Sequence, residues 1–233
     1  MSRREQYLEA LGIDLWRARE TAPELAPAPP PTATAELSVE AQWQALQAEV
    51  RTCTRCELSR GRTQTVFGVG NPRAELLVIG EAPGAEEDRQ GEPFVGRAGQ
   101  LLNSMLRAIG QPRETVYIAN ILKCRPPGNR DPKPEESASC RPFLRRQLEL
   151  LRPRLILAVG RIATQNLLET DTPIARLRGQ VHRFGEDATP LIATYHPAYL
   201  LRSPGEKRKA WVDLKFARQQ LARLRAQPRT ASG

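Results

Sequence analysis

The stretch Glu75-Leu-Leu-Val-Ile-Gly-Glu-Ala-Pro-Gly84 sets the frame for the whole chain. Four apolar residues in a row, Leu76 to Ile79, are too few for a helix and carry no polar alternation. They predict a strand buried on both faces, stopped by Gly80 and followed by a loop rich in Gly, Pro and acid. Two more runs look alike: Val116-Tyr-Ile-Ala119, and Arg154 through Leu155-Ile-Leu-Ala-Val159. Helical stretches fall between and around them, over 98–110, about 134–151 with Pro134 near its start, about 161–168 and about 206–225. In the last of these, Trp211, Leu214, Leu221 and Leu224 are expected to face the core. Ser38 is placed to N-cap a helix reaching about Val50, and short strands are expected near 180–184 and 190–194. Buried strands alternating with helices predict an α/β domain with a parallel central sheet flanked by helices.

The 233 residues carry a net charge of +9, unevenly spread. Residues 1–50 are net −4 and residues 51–233 net +13. A basic body favours a polyanion, since each phosphate neutralised releases counterions. Apolar runs of four or five residues are far too short to cross a bilayer, and Ser2-Arg-Arg-Glu-Gln6 leads into no apolar stretch, so no membrane contact and a cytoplasmic location are expected. Residues 22–34 hold five prolines in thirteen positions, an extended spacer. The expected organisation is an N-terminal peptide (1–21), a Pro-rich linker (22–37), a main domain (38–226) and a short tail (227–233).

In open α/β sheets ligands gather beyond the carboxyl ends of strands. Three such exits carry distinctive residues: Glu81-Ala82 with Glu87 and Pro93-Phe94; Asn120; and His196-Pro-Ala-Tyr-Leu-Leu-Arg202. A carboxylate, an amide, an aromatic ring and one of the chain's two histidines would converge, a set suited to gripping a planar polar group and attacking beside it. His182, in Val181-His-Arg-Phe184, is expected to be an ordinary surface strand residue. The four cysteines, Cys53, Cys56, Cys124 and Cys140, read as one metal site in a reducing compartment. Their spacing alone accommodates zinc or an iron–sulfur cluster equally well.

Taken together, the four cysteines, Gly80-Glu-Ala-Pro-Gly84, Pro93-Phe-Val-Gly96, Gly99-Gln-Leu-Leu102, Asn120-Ile-Leu-Lys-Cys-Arg-Pro-Pro127 with Asn129-Arg130, and His196-Pro-Ala-Tyr-Leu-Leu-Arg202 resemble the family 4 uracil-DNA glycosylases, over about residues 40–225. The resemblance implies a uracil-DNA glycosylase-like α/β/α fold and a structural [4Fe-4S] cluster on Cys53, Cys56, Cys124 and Cys140. It also implies a monofunctional hydrolase, most simply a monomer, that flips uracil out of DNA and cleaves its glycosidic bond in base-excision repair at the nucleoid. Glu81 and His196 would then be catalytic, and Ala82, Glu87, Phe94 and Asn120 would hold the base. Tyr199, Leu200, Leu201 and Arg202 would enter the DNA groove. Glu87 would crowd the uracil C5 position against a methyl group. A related uracil-DNA capture protein uses a histidine in an extra basic loop; here Arg125–Pro134 holds no histidine, which disfavours that alternative. Together Glu81, Asn120 and His196 argue against a non-catalytic iron–sulfur scaffold. Separately, Ser2-Arg-Arg4, Tyr7-Leu8, Leu11-Gly-Ile13 and Trp16-Arg17 resemble the N-terminal peptide of the psi subunit of the bacterial DNA polymerase III clamp-loader complex. That implies docking of residues 1–20 on the clamp loader; the alternative is a helix folded on its own domain.

Overall fold

The structure, a computed structural model, describes residues 3–12 and 38–227. The Pro-rich linker, Ile13, Trp16 and most of the C-terminal tail fall outside them. The chain divides into two units, residues 1–36 and 37–233. In the first, α1 (Arg3–Ala10) is a short helix with Tyr7 and Leu11 exposed.

The second unit begins with α2 (Val39–Arg51), capped as expected by Ser38, whose hydroxyl accepts from Ala41 N at 3.2 Å. There follow α3 (Leu58–Gly61), β1 (Val69–Gly70), β2 (Leu76–Gly80), α4 (Ala85–Gln90), α5 (Arg97–Ala108), β3 (Tyr117–Asn120) and α6 (Pro134–Leu151). The remainder is β4 (Leu155–Val159), α7 (Arg161–Leu168), α8 (Ile174–Leu177), β5 (His182–Phe184), β6 (Thr189–Thr194), α9 (Pro197–Arg202) and α10 (Lys207–Arg225).

The six strands form one sheet in the order β1-β3-β2-β4-β6-β5. The inner four run parallel, as expected, but β1 and β5 lie antiparallel on the two edges, so the sheet is mixed. The two edge strands are only two and three residues long. Such short edges leave little open backbone for another chain to pair with.

Period-two alternation splits the buried strands between two cores. Leu76, Val78, Ile118, Leu155 and Leu157 face α5, α9 and α10, whereas Leu77, Ile79, Tyr117, Ile156 and Ala158 face α6 and α7. The α10 expectation needs correcting: Trp211 is 40% exposed, beneath the Lys215 ammonium. The inward stripe is Ala210, Asp213, Leu214, Ala217 and Leu221, with Leu224 packed at its margin. A carboxylate sits in that stripe because Arg178 (2.6 Å) and the Thr194 hydroxyl (2.8 Å) bond to it. A hydrophobicity pattern cannot foresee such pairing.

Registry decides where the functional loops meet. Gly80 lies opposite Asn120, and Val159 opposite Thr194. After β2 the chain pairs β3 on one side, then crosses to place β4 on the other. The sheet's switch point therefore opens between the ends of β2 and β4.

Candidate active site

The exits of β2, β3, β4 and β6 border a cleft of about 720 Å³. Its wall includes Glu81, Ala82, Glu87, Phe94, Asn120 and His196, and also Tyr199 and Arg202. Eight of the ten residues expected at the substrate or the DNA thus share one cavity.

Asn120 ends β3 and is 2% exposed; its Oδ1 is buried without a hydrogen-bond partner. A buried amide oxygen left open is costly unless a ligand donor completes it. Phe94 approaches from the other side at φ 56°, a left-handed conformation unusual for a bulky side chain. Its ring lies 5.6 Å from the His196 ring, tilted by 33°. Arg113 holds this turn by donating to Pro93 O at 2.7 Å.

Glycines make the room. A Cβ on Gly80 would stand 2.5 Å from Asn120 Oδ1 and 2.6 Å from Phe94 Cζ. On Gly99 it would collide with Phe94 O at 1.8 Å.

Glu87 lies on the cleft wall, and its carboxylate is occupied by backbone. One oxygen accepts from Gly84 N (3.1 Å), the other from Val95 N (3.0 Å) and Gly96 N (3.2 Å). It therefore pins the Glu81 loop to the Phe94 loop, and that pinned pair shapes this side of the cleft.

His196 N-caps α9: its Nδ1 accepts from Ala198 N at 3.1 Å. That bond assigns the neutral ring's proton to Nε2. Burial, helped by the Arg202 charge, pushes its pKa down to about 4, so the imidazole is neutral at pH 7. Gly160, at φ 102°, would place a Cβ only 3.0 Å from His196 Cβ. Glu81 shows the opposite perturbation. Burial raises its pKa to about 7, with Asp131 adding to the rise and Arg161 opposing it. Arg161 and Asp131 are themselves ion-paired at 2.7 Å. A neutral donor and a carboxyl poised near neutrality thus share the cleft.

Sequence reasoning missed Gly160, Arg161 and Asp131. The first two follow β4, the strand exit not counted among the three, and its Gly-Arg junction was an available signal. Asp131 carried none, since its partner lies thirty residues away. Leu200 needs correcting: it is 1% exposed and packs with Leu102, Leu106 and Ile192. In the short α9 one side must face α5, and Leu200 occupies it, leaving Tyr199, Leu201 and Arg202 toward solvent or the cleft. Leu201 is 36% exposed. His182 lies away from the cleft on β5, its ring bonded to Leu177 O at 2.7 Å.

The cysteines come from separate elements: Cys53 and Cys56 after α2, Cys124 after β3, and Cys140 within α6. All four line one small cavity beside Val50, Arg62 and Phe143. Arg62 donates to Cys124 Sγ at 3.0 Å, and Lys123 N to Cys140 Sγ at 3.2 Å. Burial pushes the Cys124 thiol up and the Cys140 thiol up to about 11. Among the described residues no three His, Cys, Asp or Glu side chains are set to hold a metal ion. The four cysteines share one cavity wall.

The same part of the chain is similar to known proteins. The family model for the uracil DNA glycosylase superfamily matches residues 67–215, which include every cleft residue named above. A type-4 uracil-DNA glycosylase of Archaeoglobus fulgidus is 48% identical over 174 residues, covering 72% of this chain and 87% of the relative. One from Thermotoga maritima is 46% identical over 66% of this chain and 80% of its own length. One from Sulfurisphaera tokodaii is 40% identical over 75% and 82%. With the matched segment spanning the sheet, the cleft and two of the cysteines, the chain belongs to the uracil-DNA glycosylase superfamily.

Proposed function

We propose that the chain is a uracil-DNA glycosylase of the type-4 kind, which turns uracil out of DNA and hydrolyses its N-glycosidic bond to leave an abasic site. The observation that carries this reading is the open Asn120 Oδ1. A buried acceptor beside an amide NH2 matches uracil N3–H and O4. Cytosine presents the reverse order and would leave both groups of Asn120 unpaired. Phe94 supplies the stacking face, and the backbone near Ala82 borders the same base.

As the bond breaks, negative charge collects on uracil and positive charge on the sugar. His196 Nε2–H, neutral in the ground state, donates to uracil O2 and stabilises the departing anion without first losing a proton. Glu81, when ionised, orients the attacking water and offsets the sugar cation. Taking a base from the stack leaves a gap, which Tyr199 and Leu201 are suited to fill while Arg202 meets a phosphate.

Cys53, Cys56, Cys124 and Cys140 are suited to hold a [4Fe-4S] cluster. Four thiols around one cavity form a sulfur donor set, and buried thiols with raised pKa values need a cationic partner to ionise. When bound, the cluster would cross-link α2, the β3 exit and α6, a structural role outside the chemical step. Residues 1–20 are a docking peptide for the clamp loader in this reading, with Leu8, Leu11, Ile13 and Trp16 as anchors. One copy carries every cleft residue, consistent with a monomer acting on DNA in the cytoplasm.

The test is incubation with a uracil-containing oligonucleotide followed by alkali. Strand scission at uracil is expected, and none by a preparation with full visible absorbance refutes the reading. Equal clamp-loader retention with and without residues 1–34 refutes the docking.

A further inference from the structure

Lys123 is among the most deeply buried side chains of the protein, 1% exposed. Lysine is almost never fully buried without a reason, because its ammonium surrenders strong hydration. Here Nζ donates to the backbone oxygen of Asn120 at 2.9 Å and to Gln147 Oε1 at 2.6 Å. Gln147, on α6 and also 1% exposed, passes the connection on through Nε2 to Phe67 O at 3.0 Å. The backbone of Lys123 is held as well, its carbonyl accepting from Val66 N at 2.8 Å.

The bond to Asn120 falls where the sheet stops supplying partners. Beyond Asn120 the chain still pairs with the β2 exit, through Ile121 N to Gly80 O and Leu122 N to Glu81 O, both at 3.0 Å. Those bonds fix the peptide N–H groups on one side. The Asn120 carbonyl faces the other way, and the Lys123 ammonium is the partner that receives it there. A charge-assisted bond at this point fixes the peptide plane from which the Asn120 side chain departs. That side chain carries a buried, open Oδ1, whose direction depends on the peptide plane and χ angles alone. A methionine would fill the same space without the desolvation cost, so packing does not account for an ammonium here.

We propose that Lys123, braced by Gln147, is a positioning residue for Asn120, holding the base-reading amide at the angle that discriminates uracil. The proposal rests on the reading of Asn120 as the group that recognises the base.

A double-mutant cycle tests it, using Lys123→Met, Asn120→Ala and the pair in the full chain. Single-turnover uracil excision is measured with enzyme in excess, alongside melting temperature and visible absorbance. A residue acting through Asn120 matters only while the Asn120 side chain is present. Lys123→Met is therefore expected to slow excision by about 10-fold or more in the parent, and less than about 2-fold in the Asn120→Ala background. Equal losses in the two backgrounds, or no loss in the parent, overturn the positioning role. If Asn120→Ala excises uracil at the parent rate, the base-reading role itself fails, and the proposal with it. Should Lys123→Met be insoluble, Lys123→Met/Gln147→Leu replaces it under the same criteria, since it removes the Lys123–Gln147 pair together and leaves no unpartnered Gln147 oxygen.

Discussion

Glu81→Gln separates the energetic cost of the active site from its chemistry. Glu81 titrates at about 7 in the folded protein against an ordinary 4.5, chiefly because burial disfavours the charged form. At about 1.4 kcal/mol per tenfold, ionising it in place costs the folded state at most about 3.5 kcal/mol. Partial solvation of the carboxyl lowers this to about 1–2 kcal/mol. The sign follows from the raised pKa: the native state keeps its proton to higher pH than the unfolded chain does. Stability is thus full below 4.5, declines as pH rises to about 7, and then levels off. Glutamine keeps the shape and cannot ionise, so Glu81→Gln should melt higher than the parent at pH 8.5, by roughly 3–6 °C for a domain of this size. The difference should close as pH falls toward 5. Activity should move oppositely. Loss of the carboxylate should lower excision by roughly 10²–10⁴-fold, and the parent rate should climb with pH through about 7 where the variant's stays flat. Melting curves and single-turnover rates at matched pH provide both readings. A variant less stable than the parent at pH 8.5, or a melting difference independent of pH, would refute the account of Glu81 as a carboxylate held at a cost.

His196→Ala should reduce excision by roughly 10²–10³-fold, and because the ring titrates near 4, the parent's pH–rate profile should show no inflection near 6.5 from this group. Gly80→Ala puts a methyl against both Asn120 and Phe94. It should cost about 1–3 kcal/mol in urea unfolding and weaken uracil excision by more than that stability loss explains. Arg178→Met strands the buried Asp213 carboxylate and should destabilise by about 3–5 kcal/mol at pH 7, with part recovered when Asp213→Asn is added. Cys140→Ser should remove visible absorbance and lower the melting temperature, whereas a zinc-only protein would be colourless throughout.

What could be read from the sequence, and what could not, divides along a physical line. Leu76–Ile79, Val116–Ala119 and Leu155–Val159 announced themselves because a strand buried on both faces must be apolar throughout. The site followed, because the ends of such strands are where side chains of distant segments meet; Glu81, Asn120 and His196 were legible for that reason. Lys123, Gln147 and Asp213 were not. By composition each belongs on a surface, and each is buried only because a partner far along the chain helps to satisfy it: Gln147 for Lys123, Phe67 for Gln147, and Arg178 with Thr194 for Asp213. Leu200 failed in the opposite direction, since an apolar residue in a segment expected to face DNA fits a wedge and a core equally until α9 is docked on α5. The edge strand β1 was missed for a related reason, as two residues carry almost no periodicity, whereas β5 falls within the strand expected near 180–184. Hydrophobic pattern is a property of single positions, whereas buried polarity is a property of pairs. The same distinction explains why the cleft tolerates an open Asn120 oxygen and a carboxyl ionising near neutrality. Each is an incomplete pair whose missing member, on the present reading, arrives with the substrate: uracil N3–H for the amide, and the attacking water and sugar cation for Glu81.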